Sequence, residues 1–185
     1  VAVIGLGPVG ATLSGLLGRA GLSVGVFEAS AAIYPQPRAV GFDHDAMRIF
    51  QRMGAAAALL PHIADFRDSR YIGANGQTIR NVVRLAPPFP LHWAPNYTCD
   101  QPGVEAVLRQ TIDSMARVDV HLQNQLTTLT DDGQQVRFTV RDADDALRQH
   151  SARYLVGCDG ASSTVRRHIG SELASMEYDE PWIVV

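Results

Sequence analysis

Cysteine is scarce in this 185-residue chain. The two present, Cys99 and Cys158, stand at neither CxxC nor metal-ligand spacing, and no cysteine pair lies near residue 40. That excludes a disulfide-stapled scaffold and argues against a dithiol redox centre. Both read as reduced structural thiols of a cytoplasmic protein. The histidines, at 44, 62, 92, 121, 150 and 168, are scattered, and none pairs with an acid or a cysteine at ligand spacing, so no metal site is read. Long apolar runs are missing, which excludes a membrane-spanning helix. No charged segment precedes the first strand, so no signal peptide is visible. There is no basic patch: 16 basic residues face 19 acidic ones for a net charge of −3, which argues against a nucleic-acid partner. Internal repeats and low-complexity segments are absent as well. What remains is a chain that is 46% hydrophobic and long enough to bury one domain-sized core.

The first informative stretch is Gly5-Leu6-Gly7-Pro8-Val9-Gly10, with Glu28 eighteen positions after the last glycine. Val1-Ala2-Val3-Ile4 reads as a buried strand. An amphipathic helix follows, with Leu13, Leu16, Leu17 and Ala20 on one face at i, i+3, i+4 and i+7. After a turn at Gly21, Leu22 to Phe27 reads as a second strand that ends at Glu28. In this βαβ setting the glycine spacing points to a dinucleotide site. Gly5 allows the tight turn, Gly7 lets a diphosphate approach the backbone, and Gly10 lets helix and strand pack. The helix N-terminus offers free N–H groups to phosphate. Glu28 can accept from both hydroxyls of an adenosine ribose and repels a 2′-phosphate, so the ligand is FAD or NAD rather than NADP.

Further along, Ala29 to Ala39 reads as a loop. Asp43 to Met53 reads as a helix with Met47, Phe50 and Met53 inward, ended by Gly54, and Ala55 to Leu60 continues helically to Pro61. Asn75-Gly76 is the strongest hairpin signal. Leu85 to Pro95 holds four of the ten prolines and reads as a rigid extended loop, with His92 and Trp93 in a structural role. Pro102 opens a helix with Val104, Val107, Leu108, Ile112 and Met115 apolar. Val118 to Val156 alternates strands with turns, one of them Asp131-Asp132-Gly133. Tyr154 to Gly157 is a buried-strand run leading into Cys158-Asp159-Gly160-Ala161-Ser162-Ser163-Thr164-Val165-Arg166, and a short helix ends near Gly170.

With this second Asp-Gly turn in place, the chain resembles the aromatic-ring hydroxylases, flavin monooxygenases similar to p-hydroxybenzoate hydroxylase. The resemblance covers essentially the whole length. It rests on Gly5/Gly7/Gly10 with Glu28, on Pro37-Arg38-Ala39, on Gln101-Pro102 with Glu105 and Leu108-Arg109, and on Asp159-Gly160. Residues Tyr34 to Gly54 look most like the 3-(3-hydroxyphenyl)propionate hydroxylase branch.

The resemblance implies an α/β fold: an FAD/NAD(P)-binding, doubly wound parallel sheet. It further implies an antiparallel ribbon over Val118 to Val140 and a substrate-binding sheet that begins at Asp65 to Val83, with segments 65–95 and 176–185 belonging to it. It implies that Gly5, Gly7 and Gly10, with Pro8 and Val9 between and beside them, hold the FAD diphosphate. Glu28 and Ala29 lie at the adenosine ribose, Arg38 and Gln101 near the ribityl chain, Leu126 at the adenine, and Asp159-Gly160 on the FAD side of the second turn. Arg166 is expected to brace that turn. The activity implied is hydroxylation of a phenolic substrate with NADH or NADPH and O2 through a flavin C4a-hydroperoxide. Catalytic residues are not named, and a homodimer is left open.

Both ends read as cut. The family's third motif and most of its substrate region are expected beyond the chain, so this piece alone is expected to hold FAD weakly and to be inactive. Two rivals share the opening motif. An NAD-dependent dehydrogenase predicts alternating strands and helices where this chain shows hairpin signals. A non-catalytic FAD-binding protein of the same fold stays open.

Overall fold

The computed structural model describes residues 1–36, 39–66, 68–178 and 181. Pro37 and Arg38, and residues 179–180 and 182–185 of the segment expected in the substrate-binding sheet, lie outside the described residues.

The chain begins in the middle of a sheet. Strand β1 (Ala2–Ile4) is followed by helix α1 (Pro8–Arg19) and strand β2 (Val24–Glu28). On one side β1 pairs with β2, from Ala2↔Gly25 to Ile4↔Phe27. On the other side it pairs with a strand from the far end of the chain, Leu155–Gly157, from Ala2↔Leu155 to Ile4↔Gly157. Both pairings are parallel. β1 is buried at every residue, as a strand covered on both faces must be.

The apolar face expected on helix α1 joins the core through Leu13, Leu16 and Leu17 but not through Ala20. The helix buries Gly10, Ala11, Ser14 and Gly15. Leu13, Leu16 and Leu17 are half-buried at its flanks and Ala20 is exposed. Two of the small residues allow close approach: Gly10 backs on the Gly5 carbonyl beside the strand, and Gly15 makes room for Met53 of the helix that follows. An i, i+3, i+4 pattern marks an apolar stripe and says nothing of how near the helix lies to its support.

After β2 come strand β3 (Gly41–Asp43), helix α2 (His44–Met53), the helical turn α3 (Ala56–Leu59) and a 3₁₀ turn at Leu60–His62. Asp43 caps α2, its side chain accepting from Ala46 N at 2.9 Å, and Gly54 ends it at φ 91°. Met47 and Met53 are fully buried and Phe50 nearly so. Strand β4 (Ile63–Asp65) precedes a hairpin, β5 (Ser69–Ile72) and β6 (Thr78–Val82), which turns at Asn75-Gly76 with Gly76 at φ 77°. Strand β7 (Asn96–Cys99) then pairs antiparallel with both β3 and β4. The second sheet expected over Asp65 to Val83 is therefore two units: the β5–β6 hairpin and a three-stranded β3-β7-β4 sheet whose members come from distant parts of the chain.

Helix α4 (Gln101–Asp113) leads into strand β8 (Val118–Leu122). The ribbon was expected to start at Val118. Instead β8 is the outer strand of the parallel sheet, in register with β2 from Val24↔Val118 to Glu28↔Leu122. A strand leaving a helix packed on the sheet returns parallel to its neighbour, and Val118 joins the helix-side core. The antiparallel ribbon is β9 (Gln125–Asp131), β10 (Val136–Arg141) and β11 (Leu147–Ala152). It runs into β12 (Leu155–Gly157) and the short helix α5 (Thr164–His168).

The parallel sheet, in the order β12-β1-β2-β8, thus divides two cores. Val3, Val24 and Val26 face α1, α2 and α4, whereas Ala2, Ile4 and Phe27 face the ribbon with Leu126, Phe138 and Val140. At the ribbon interface Phe27 stacks on His121 (centroids 4.8 Å apart) and meets Phe138 and His150 edge-on at 5.1 and 4.8 Å. His150 stacks in turn on Phe138.

Candidate functional site

Two turns leave the C-terminal ends of neighbouring strands β1 and β12, which is where open α/β sheets bind ligands. The Cys158 amide donates to Ile4 O at 2.7 Å, so the late turn is fastened to the early one. Gly5 adopts φ 97°, and a Cβ there would press on the Cys158 carbonyl and lie 2.9 Å from Asp159 Cα. Gly10 backs against the Gly5 carbonyl so closely that a Cβ would overlap it. Gly7 differs from both: nothing lies within 4 Å of where its Cβ would be. The two tight glycines close the turn, and the third leaves its outer side open.

That open side faces a cavity of about 560 Å³, within the usual range for a small-molecule site. Gly5, Gly7, Pro8 and Val9 line one end of it, with Cys158, Asp159 and Gly160 from the second turn. Glu28 and Ala29 line it at the end of β2, Gln101 from α4, and Leu126 from the ribbon. Gly10 sits behind the wall as packing. Of the twelve residues expected at the cofactor, ten line this cavity, Gly10 supports it, and Arg38 is outside the described residues.

Several of these side chains already have work within the protein. Glu28 Oε2 accepts from Leu6 N at 2.7 Å and Oε1 from Ser30 N at 2.8 Å. The carboxylate is thereby fixed across the glycine turn and the loop after β2, with lone pairs left for a ligand hydroxyl. Asp159 is spent on capping. Its Oδ2 accepts from Thr164 N (2.6 Å) and Val165 N (3.2 Å), and its Oδ1 accepts from Ser163 Oγ (2.5 Å). Ser163 Oγ accepts in turn from Arg166 N at 3.0 Å. Arg166 donates to Ala161 O at 2.7 Å, within the turn.

Gln101 opens α4 next to its N-cap, Asp100. Its Oε1 accepts from Ala39 N at 2.7 Å and its Nε2 donates to Glu105 Oε1 at 2.8 Å. Cys158 is a poor nucleophile here: burial and then the Asp159 charge push its thiol above the ordinary value.

Sequence reasoning assigned no site role to Ser30, Tyr34, Glu105, Arg109, Asn124 or Thr164, yet all line the cavity. For Glu105 and Arg109 a signal existed. With Gln101 they stand at i, i+4 and i+8, one stripe of α4. The loop residues carried no comparable pattern.

The cavity fits a diphosphate-bearing dinucleotide. Helix α1 points its N-terminus at it, and its first intrahelical bond runs from Ala11 N to Gly7 O, so the amides before Ala11 have no partner within the helix. The space beside Gly7 admits a phosphate against that positive helix end. Among the described residues no helix is long and apolar enough to cross a membrane, and no group of three or more His, Cys, Asp or Glu is placed to hold a metal ion.

The chain is 33% identical over 185 residues to a probable NADH-specific resorcinol 4-hydroxylase of Rhodococcus jostii, covering all of this chain and 35% of that protein. It is 32% identical over 185 residues to a 3-(3-hydroxy-phenyl)propionate/3-hydroxycinnamic acid hydroxylase of Comamonas testosteroni, covering all of this chain and 31% of that protein. It therefore spans about a third of the length of these curated relatives. Among solved structures, p-nitrophenol 4-monooxygenase PnpA of Pseudomonas putida superposes with a TM-score of 0.80 at 25% identity, over 91% of this chain and 42% of that one. The FAD binding domain family matches residues 1–185. The glycine turn, the acid at the end of β2 and the sheet that joins them are thus those of a known family: the chain belongs to the FAD binding domain family.

Proposed function

We propose that this chain is the FAD-holding part of a flavin monooxygenase that hydroxylates a phenolic ring with NADH or NADPH and O2. The observation that carries the reading is the junction of the two turns. Ile4 and Gly157 stand side by side on adjacent parallel strands, and one cavity runs from Gly7 and Gly160 past Glu28. A ribbon in place of further β/α units, and relatives named as hydroxylases of resorcinol and of 3-(3-hydroxy-phenyl)propionate, favour this over a dehydrogenase.

When bound, the flavin supplies the electron-transfer and dioxygen chemistry. The protein's part is to bind and orient. The N-terminus of α1 and the open side of Gly7 receive the diphosphate. Glu28, held by two backbone amides, accepts from the adenosine ribose. Gln101 and Leu126 border the remaining length, and the resemblance adds Arg38. Asp159 acts by holding the Gly160 turn on the start of α5.

The test is made on the full-length protein that contains this chain. It should purify with flavin absorbance and oxidise NADH or NADPH faster when a phenol is added, giving a product one oxygen heavier. Bound flavin with no phenol-stimulated oxidation refutes the monooxygenase and leaves a non-catalytic binder. Nicotinamide binding without flavin makes it a dehydrogenase.

A further inference from the structure

Two polar side chains on α4, Glu105 and Arg109, are not used by the binding scheme above. Glu105 is 2% exposed, an unusual place for a carboxylate. Its Oε2 lies 3.8 Å from the Arg109 guanidinium, whose side chain is 15% exposed. Arg109 Nε is buried without a hydrogen-bond partner. One turn up the helix, Glu105 Oε1 accepts from Gln101 Nε2, and Gln101 Oε1 accepts from the Ala39 amide across 62 residues of chain.

The direction of this row is set by the donors and acceptors at its two ends. Glu105 Oε1 accepts from Gln101 Nε2, so the NH2 end of the Gln101 amide faces Glu105. The carbonyl end must then face Ala39, whose backbone N–H only donates. With the amide reversed, donor would face donor at Ala39 and acceptor would face acceptor at Glu105.

We propose that Arg109 and Glu105 are positioning residues of the cavity: they orient the Gln101 amide so that it fastens Ala39, and with it the end of the loop after β2, to the first turn of α4. The inference rests on the reading of the cavity as an FAD site for its effect on affinity. Its effect on the loop does not depend on that reading.

The test uses Arg109→Met and Glu105→Leu in the full-length protein, with Arg109→Lys as the conservative variant. Three quantities are read: hydrogen exchange of the Ala39 amide, FAD dissociation by flavin fluorescence, and exchange at the Phe138 amide in the distant ribbon. R109M and E105L should speed Ala39 exchange and weaken FAD binding by about tenfold. Phe138 should be unchanged, and R109K should recover at least part of both effects. Ala39 protection equal to wild type in both variants overturns the proposal. So does an equal loss at Ala39 and Phe138, which marks general loosening. If the wild-type protein binds no FAD, the function proposed above fails, but the Ala39 comparison still decides for or against the positioning role.

Discussion

Gly7 and Gly10 lie three residues apart in one motif, yet the structure gives them opposite sensitivities. Gly7 is the N-cap of α1 at φ −71° and ψ −173°, a conformation any residue adopts, and its Cβ direction is empty to 4 Å. An alanine there loses the glycine preference of an N-cap, several tenths of a kcal/mol, and regains a similar amount through reduced unfolded-state entropy, so the net change is about 0.5 kcal/mol or less. For a protein of this size that moves Tm by about 2 °C at most. The added methyl, however, occupies the space a phosphate needs against the helix end. Displacing that group from the unpaired amides forfeits about 1–2 kcal/mol, a loss of roughly five- to thirtyfold in FAD affinity.

Gly10→Ala reverses the pattern. Its Cβ would overlap the Gly5 carbonyl and lie 3.3 Å from Cys158 Cβ. The helix must be pushed off the strand, at a cost of about 3 kcal/mol. The assay pairs urea unfolding with flavin-fluorescence titration on both variants. A G7A protein that binds FAD as tightly as wild type refutes the placement of the diphosphate. A G10A protein of wild-type stability refutes the packing argument.

Asp159→Ala removes the acceptor for two amides and a hydroxyl at the start of α5. It should lower unfolding free energy by about 2 kcal/mol, and a loss below about 0.5 in urea titration contradicts the capping role. Acid sensitivity should trace in part to the ring cluster beneath the ribbon. Burial, and then the charge of His121, lowers the His150 pKa below its ordinary 6.5. As pH falls, the unfolded chain takes up this proton before the folded protein does. The His150 contribution is therefore unpenalised above about pH 6.5 and erodes as pH drops through that value toward the lower folded pKa. His150→Phe should flatten the stability curve between about pH 7 and 5. An unchanged slope in denaturant titrations across that range rejects the assignment.

Local signals were the legible ones. The glycine turn, the Asp43 and Gly54 ends of α2, and the Asn75-Gly76 hairpin each rest on a few adjacent residues whose backbone needs are visible in the sequence. The proximity of Asp159 to Gly5 was legible only through resemblance, since nothing in 150 residues of intervening chain encodes a distance. What stayed hidden depends on pairing across the molecule. β3 and β4 are three residues each and gain their identity from β7. β8 looked like a ribbon strand because a Val-x-Val alternation fits either sheet. The leucine stripe of α1 was legible and joins the core, but the more deeply buried Gly10, Ala11, Ser14 and Gly15 are too small to register as an apolar stripe. Within the site, the types of Glu28 and Asp159 were read, but not that backbone amides would engage both.

The pairing of β1 with β12 also fixes an order of events during synthesis. β1 leaves the ribosome well before β12, yet its partner for Ile4 is Gly157. Until β12 has followed it out, the glycine turn has only one bank and no opposing shore. A nascent chain therefore has no complete place to lodge a nucleotide while it is being made, and capture must follow the arrival of α5 rather than guide the folding of the opening βαβ unit.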